Sequence, residues 1–235
     1  MFRTGYAVVL VCILAVILPE ARPADPADKE GFVAIFNGKD LTGWKGLPDH
    51  WAVEDGAITG VNTKEKPLKK NTFLVWEGGK PADFELRFKY KIVGGNSGVQ
   101  YRSKVADAKE FVVHGYQADI DSSPRFTGMN YEEGGRTFLA QRGERVTIGA
   151  DGKKAAEKIG DKDELQKKIK AEDWNEYVIV AKGNSLKHFV NGVLMSEVTD
   201  DEKGKAAASG VIAIQLHAGP PMKVQLKDIR LKELK

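Results

Sequence analysis

The stretch Phe84-Glu85-Leu86-Arg87-Phe88-Lys89-Tyr90-Lys91-Ile92 alternates apolar and charged side chains at every step. Period two sustained over nine residues marks a strand buried on one face, since a helix would repeat every three to four. Working outward, Gly94-Gly95-Asn96 turns the chain, and Val99-Gln100-Tyr101-Arg102 alternates again. So does Tyr116-Gln117-Ala118-Asp119-Ile120-Asp121. Trp174 to Ala181 is β-rich and is turned by Gly183-Asn184. Leu186–Val190 and Val193–Met195 flank Asn191-Gly192, the pair a type I′ hairpin favours because both central residues need positive φ. The last strands are Val211–His217 and Met222–Leu231, joined through Gly-Pro-Pro at 219–221. One segment, Asp161 to Ile169, reads as a short helix on a connection, with an acidic start and a basic end. Many short strands and one small helix predict an all-β fold, an antiparallel β-sandwich or jelly roll.

The start of the chain reads differently. Arg3 precedes an unbroken apolar run, Ala7 to Leu18, which ends at Pro19. That layout predicts a signal peptide over residues 1–24, a polar linker over 25–31 and a single domain over 32–235. The run is too short for a spanning helix, which needs about twenty apolar residues. Export implies a periplasmic or secreted location, with no stable membrane insertion after cleavage. Cys12, the only cysteine, lies within the run behind Val11, an unfavourable setting for lipidation. The cleaved chain would hold no disulfide, and its roughly 210 residues suffice to bury a core instead. Charged residues make up 29% of the chain, yet 36 basic residues balance 33 acidic ones, for a net charge of +3. No electrostatic case for nucleic acid follows.

Alternation also assigns faces. Ile212, Ile214 and Leu216 share one face and belong to the core, so Gln215 and His217 point the other way. Gln117, Asp119 and Asp121 oppose Tyr116, Ala118 and Ile120; Gln100 and Arg102 oppose Val99 and Tyr101. If these strands are neighbours, Gln100, Arg102, Gln117, Asp119, Gln215 and His217 merge into one polar cleft. Amides, a guanidinium and carboxylates are the groups that hydrogen-bond sugar hydroxyls. For any single strand the alternative is a plain solvated outer face. The four histidines are 50, 114, 188 and 217. Imidazole is the usual base near neutral pH, and His188 beside its hairpin, His217 and more weakly His114 are candidates. Trp44, Trp51, Trp76 and Trp174 read as core more readily than as sugar platforms. Glu132-Glu133 before Arg136 cannot act as a pair from one strand, because neighbours face opposite ways; Asp119 with one of them could converge. There is no GxSxG, HExxH, P-loop or CxxC pattern. No cofactor is expected; the loops at Asp121-Ser122-Ser123 and Asp200-Asp201-Glu202 leave a divalent cation such as calcium open.

Phe32 to Trp44, reading FVAIFNGKDLTGW, resembles the opening of the 3-keto-disaccharide hydrolase domain family. The resemblance continues through Trp51–Ile58, Asp83–Leu86, Gly95–Val99 with Arg102, Trp174–Glu176, His188, Asn191-Gly192, Gly210–His217 and Asp228-Ile229. It covers nearly all of residues 32–234. It implies a concanavalin A-like lectin/glucanase fold and an oxidised di- or oligosaccharide as the carbohydrate partner. The implied chemistry is elimination and hydration at a glycoside oxidised at C3, a net hydrolysis. In that frame His188 or His217 is the base, Asp119 orients a histidine or binds a hydroxyl, and Arg102, Gln117 and Gln215 hold the sugar or the developing oxyanion, with Gln100 of the cleft a further substrate-binding candidate. Many members carry Tyr-Glu-x-Gln where this chain has Tyr116-Gln117-Ala118-Asp119. The carboxylate has moved two residues and kept its face, which leaves open a preserved site, an altered substrate or a non-catalytic carbohydrate-binding module.

Overall fold

A computed structural model describes residues 28–235. The expected signal peptide therefore lies outside the described residues. In chain order the strands are β1 (Val33–Ala34), β2 (Trp44–Lys45), β3 (Trp51–Glu54), β4 (Ala57–Asn62), β5 (Thr72–Trp76), β6 (Phe84–Val93), β7 (Asn96–Asp107), β8 (Val112–Asp121), β9 (Asn130–Glu133) and β10 (Thr137–Ala140). They continue with β11 (Glu144–Ile148), β12 (Lys154–Lys158), β13 (Asn175–Lys182), β14 (Ser185–Val190), β15 (Val193–Asp200), β16 (Val211–Leu216) and β17 (Met222–Glu233), with helix α1 (Lys162–Gln166) before β13.

Two sheets form the sandwich. One has ten strands in the order β12-β11-β15-β14-β13-β6-β17-β4-β3, with β1 added on β17; the other runs β10-β9-β8-β7-β16-β5-β2. The pairing is antiparallel except at β11, which lies parallel to β15. The core fills the space between the sheets. Strand β6 sends Phe84, Leu86, Phe88, Tyr90 and Ile92 into it, every second residue of the run that predicts the strand. From the opposite sheet come Val99, Tyr101, Tyr116, Ala118, Ile120, Ile212, Ile214 and Leu216, the residues alternation assigns inward.

Local signals end the elements as chemistry requires. Asn191 and Gly192 both take positive φ, 49° and 78°, closing the β14–β15 hairpin. Asp161 caps α1, accepting from the backbone N–H of Asp163 and Glu164 at 3.0 and 3.3 Å. The helix stops at Gln166, short of the expected Ile169, and no basic residue falls in its last turn. At the start of the described chain Asp28 Oδ1 accepts from the backbone of Glu30 and Phe32, so residues 28–31 of the expected linker form a turn against the domain. Among the described residues no helix is long and apolar enough to cross a membrane.

Candidate functional site

Strands β8, β7 and β16 lie side by side, the condition for the polar faces to merge. Gln100 pairs with Gln117 across β7–β8 and with Ala213 across β16. On this outer face of the seven-stranded sheet a cavity of about 390 Å³ opens, lined by Gln117, Asp119, Gln215 and His217 together with Asn71, Asn96, Glu133, Phe126, Tyr131 and Phe138. The face is not a solvated one. Gln100 and Gln215 are 0% exposed, Gln117 2% and Asp119 4%, because β9, β10 and the flanking loops wall them in.

A buried polar group needs partners, and here the amides supply them in a chain. Gln100 Nε2 donates to Gln117 Oε1 (3.1 Å) from beneath the cavity. Gln117 Nε2 donates to Asp119 Oδ1 (2.8 Å). Gln215 Nε2 donates to Glu133 Oε2 (3.2 Å), and Asn71 Nδ2 donates to Glu133 Oε1 (3.2 Å). Asn71 Oδ1 also accepts from the backbone of Ala218, tying two loops at the rim. Gly98 makes room for this order: a Cβ there would lie 2.5 Å from Gln117 Cγ. Gln100 thus positions Gln117 without lining the cavity.

Two groups can move protons. Burial pushes the Asp119 carboxyl up to about 8, with the Glu133 and Asp121 charges adding and the Gln117 donor opposing. Asp119 is therefore mostly protonated at neutral pH, a carboxylic acid rather than a carboxylate. His217 contacts the Ala218 carbonyl through Nδ1. A carbonyl only accepts, so Nδ1 carries a hydrogen, and in the neutral imidazole the basic nitrogen is Nε2.

Two expected residues are elsewhere. His188 is 0% exposed, between the sheets, with Nε2 2.9 Å from Tyr101 Oη and edge-on contacts to the Tyr101 and Tyr177 rings. Burial pushes its pKa down to about 3, so it stays a neutral core residue and not a base in the cavity. The reason is the same alternation that read the other strands: Leu186, His188 and Val190 share one face of β14, and that face is core. Arg102 is also misplaced by the face argument. Its φ of 46° breaks the alternation of β7, and its guanidinium bonds the Ala82 carbonyl (2.7 Å), the Gly183 carbonyl (2.7 Å) and Asp83 Oδ1 (2.9 Å). It clamps β7 to two turns instead of holding a ligand.

The remaining candidates sort by partner. His114 lines a separate crevice with Arg136 and Lys205. Trp44 and Trp51 are core, and Trp174 sits under Lys91 and Lys227. Glu132 pairs with Arg136, which also holds Asp200 and Glu202, while Asp121 accepts from Ser123 and Asn96. The carboxylates named for calcium therefore serve protein partners. Sequence reasoning missed Asn71, Asn96, Phe126, Tyr131 and Phe138. Phe138 carried a signal, since Leu139 beside it is core and alternation turns Phe138 outward; Asn71 and Phe126 sit on loops and carried none.

A 3-keto-disaccharide hydrolase of Bacteroides thetaiotaomicron is 33% identical over 93 residues, 36% of this chain and 32% of that relative's length. A Parabacteroides distasonis protein solved as a candidate glycosyl hydrolase superposes with a TM-score of 0.57 at 22% identity, over 88% of this chain and 95% of that one. The carbohydrate binding module CBM66 of Bacillus subtilis superposes with a TM-score of 0.55 at 14% identity, over 83% and 98%. At these identities the two structures share the sandwich fold. Residues 31–232 match the 3-keto-alpha-glucoside-1,2-lyase-like domain, and the chain belongs to that family.

Proposed function

We propose that this cavity cleaves the C1–O bond of a 3-keto-glucoside by elimination followed by hydration. The observation that carries the reading is one cavity lined by both Asp119, a buried carboxyl whose pKa is raised, and His217, whose Nδ1 rather than Nε2 meets the Ala218 carbonyl. A C3 ketone acidifies the C2 proton. His217 Nε2 takes that proton, and the C–H electron pair forms the C2=C3 enolate. Gln215, Asn71 and Asn96 each donate one N–H within the protein and have a second for the enolate oxygen or a hydroxyl. The enolate then re-forms the ketone, a C1=C2 double bond appears and the C1–O bond breaks. Asp119 gives its proton to the departing oxygen, which leaves as an alcohol. In the return half, water adds at C1, the Asp119 carboxylate takes its proton, and protonated His217 returns one to C2. One water is consumed and both side chains are restored.

The test is alcohol release from methyl 3-keto-α-glucoside by the parent, Asp119→Asn and His217→Ala proteins. Each substitution is expected to cost at least about a hundredfold in kcat, the scale of general acid–base assistance, with folding intact. Turnover by the parent that neither substitution reduces removes both roles. The aromatic rim of Phe126, Tyr131 and Phe138 favours a second reading, a carbohydrate-binding module. Binding of unoxidised sugars without any turnover of 3-keto substrates selects it.

A further inference from the structure

Phe126 and Phe138 line the candidate site and also a second cavity of about 360 Å³, shared with Arg125, Gln141 and Gln166. They form the ridge between the two. Their rings stack with centroids 5.7 Å apart and planes at 27°, and Tyr131 meets Phe138 edge-on at 5.1 Å. Phe138 is 39% exposed, while the core aromatics are nearly inaccessible. An aromatic face left open inside a polar site is costly unless something covers it.

The ridge is held rigid from below. Arg142 is 5% exposed, and its guanidinium donates to the carbonyls of Pro124 (2.8 Å), Thr127 (2.9 Å) and Lys162 (3.0 Å) and to Gln166 Oε1 (2.6 Å). The loop carrying Phe126 is thereby pinned to α1. Gln166 keeps its amide nitrogen as a donor, because its oxygen is taken. Arg125 lies over the Phe126 ring at 4.9 Å. A pre-ordered aromatic face ringed by amides and a guanidinium suits a sugar ring, with C–H bonds against the aromatic and hydroxyls on the rim.

We propose that the second sugar of a disaccharide substrate docks across the Phe126–Phe138 ridge, in the cavity beside α1, while the ring to be cleaved lies over Asp119. This rests on the reading of the site as a 3-keto-glucoside site and adds where its leaving group sits. Two rings joined through one oxygen straddle a wall common to both cavities. The competing position is the crevice of about 800 Å³ that shares Glu133 with the site. Its imidazole apart, that crevice has no aromatic face, and most of its charges are paired: Arg136 with Glu132, Asp200 and Glu202, Lys205 with Glu202, and Arg102 with Asp83.

The test is calorimetric binding of methyl 3-keto-α-glucoside and of 3-keto-trehalose to Asp119→Asn protein, with and without Phe138→Ala. Removal of the acid keeps the ligands intact during the titration. The expected result is about tenfold tighter binding of the disaccharide, most of which Phe138→Ala removes. Phe138 is exposed and outside the core, so its truncation leaves the fold in place, and thermal melting checks this. Equal affinities for the two sugars overturn the proposal, as does a preference that survives Phe138→Ala or is lost instead on His114→Ala. The reaction has its own readout: absence of turnover by the parent leaves the affinity ratio measurable, so the two readings fail separately. No binding of either sugar overturns both.

Discussion

At the scale of single residues the site rests on one carboxyl group held against its normal preference. Asp119 folds with a pKa of about 8, raised by burial from the ordinary value of 3.8. A carboxyl raised in the folded state favours folding below its unfolded pKa, and that advantage is lost as pH rises through the folded one. Between about pH 4 and pH 8 the unfolded chain releases this proton and the folded chain does not. Asp119→Asn, of nearly the same shape, is therefore expected to gain thermal stability over the parent progressively across that window. Calorimetric melts at pH 4, 6 and 8 check it, with a gap of several degrees at pH 8 and little at pH 4. The same proton sets activity. As the acid, Asp119 predicts that kcat/KM for methyl 3-keto-α-glucoside falls above about pH 8. A flat alkaline limb, or parallel melting curves, removes the raised pKa and the acid role with it.

At the scale of elements, what was legible depended on whether an element obeyed its period. In β6, β8 and β16 alternation predicts both the strand and the inward face, and Gln117, Asp119, Gln215 and His217 reach one cavity because β8 and β16 flank β7 in one sheet. β12 reads Lys-Ala-Ala-Glu-Lys and is exposed throughout, so only its ladder with β11 makes it a strand. Asn71 and Phe126 come from loops, whose approach to the cavity is a tertiary event with no periodic trace. Arg102 fails for a local reason: a positive φ resets the alternation of β7, and register shifts there between Tyr101 and Lys104. The clamp it makes is specific to a planar fork, with Nε, Nη1 and Nη2 each serving a different acceptor. Arg102→Lys keeps the charge and loses that geometry. It is expected to lower unfolding free energy by about 2–3 kcal/mol in urea titrations, through loss of charged hydrogen bonds at a buried site. An unchanged midpoint, with sugar binding weakened instead, returns Arg102 to the role the strand pattern first suggested.

At the scale of the whole molecule, the two sheets are joined by a polar contact through an apolar core, and it runs beneath the site. Asn130 Nδ2 donates to Tyr101 Oη (2.9 Å), so the tyrosine hydrogen is directed to His188 Nε2. His188 Nδ1 then carries the hydrogen that meets the Met129 carbonyl (3.3 Å), and the same carbonyl accepts the backbone N–H of Asp119 (3.2 Å). This order requires a neutral imidazole. With its pKa pushed down from 6.5 to about 3, His188 contributes stability that is present above pH 6.5 and lost as pH falls toward 3, where the unfolded chain takes up the proton first. His188→Gln removes that titration, so the parent's urea midpoint, measured relative to that of His188→Gln, is expected to drop between pH 7 and pH 5. His188→Ala leaves the Tyr101 hydroxyl and the Met129 carbonyl short of a partner and opens a cavity between the sheets. It is expected to cost about 3–4 kcal/mol at pH 7 in the same measurement. Any loss of turnover in His188→Ala then follows the unfolded fraction and a slackened strand under Asp119. A fully folded His188→Ala protein with its parent's midpoint and no turnover would reverse the assignment: His188 would be the base after all, and the two sheets would have to part for it to reach a substrate.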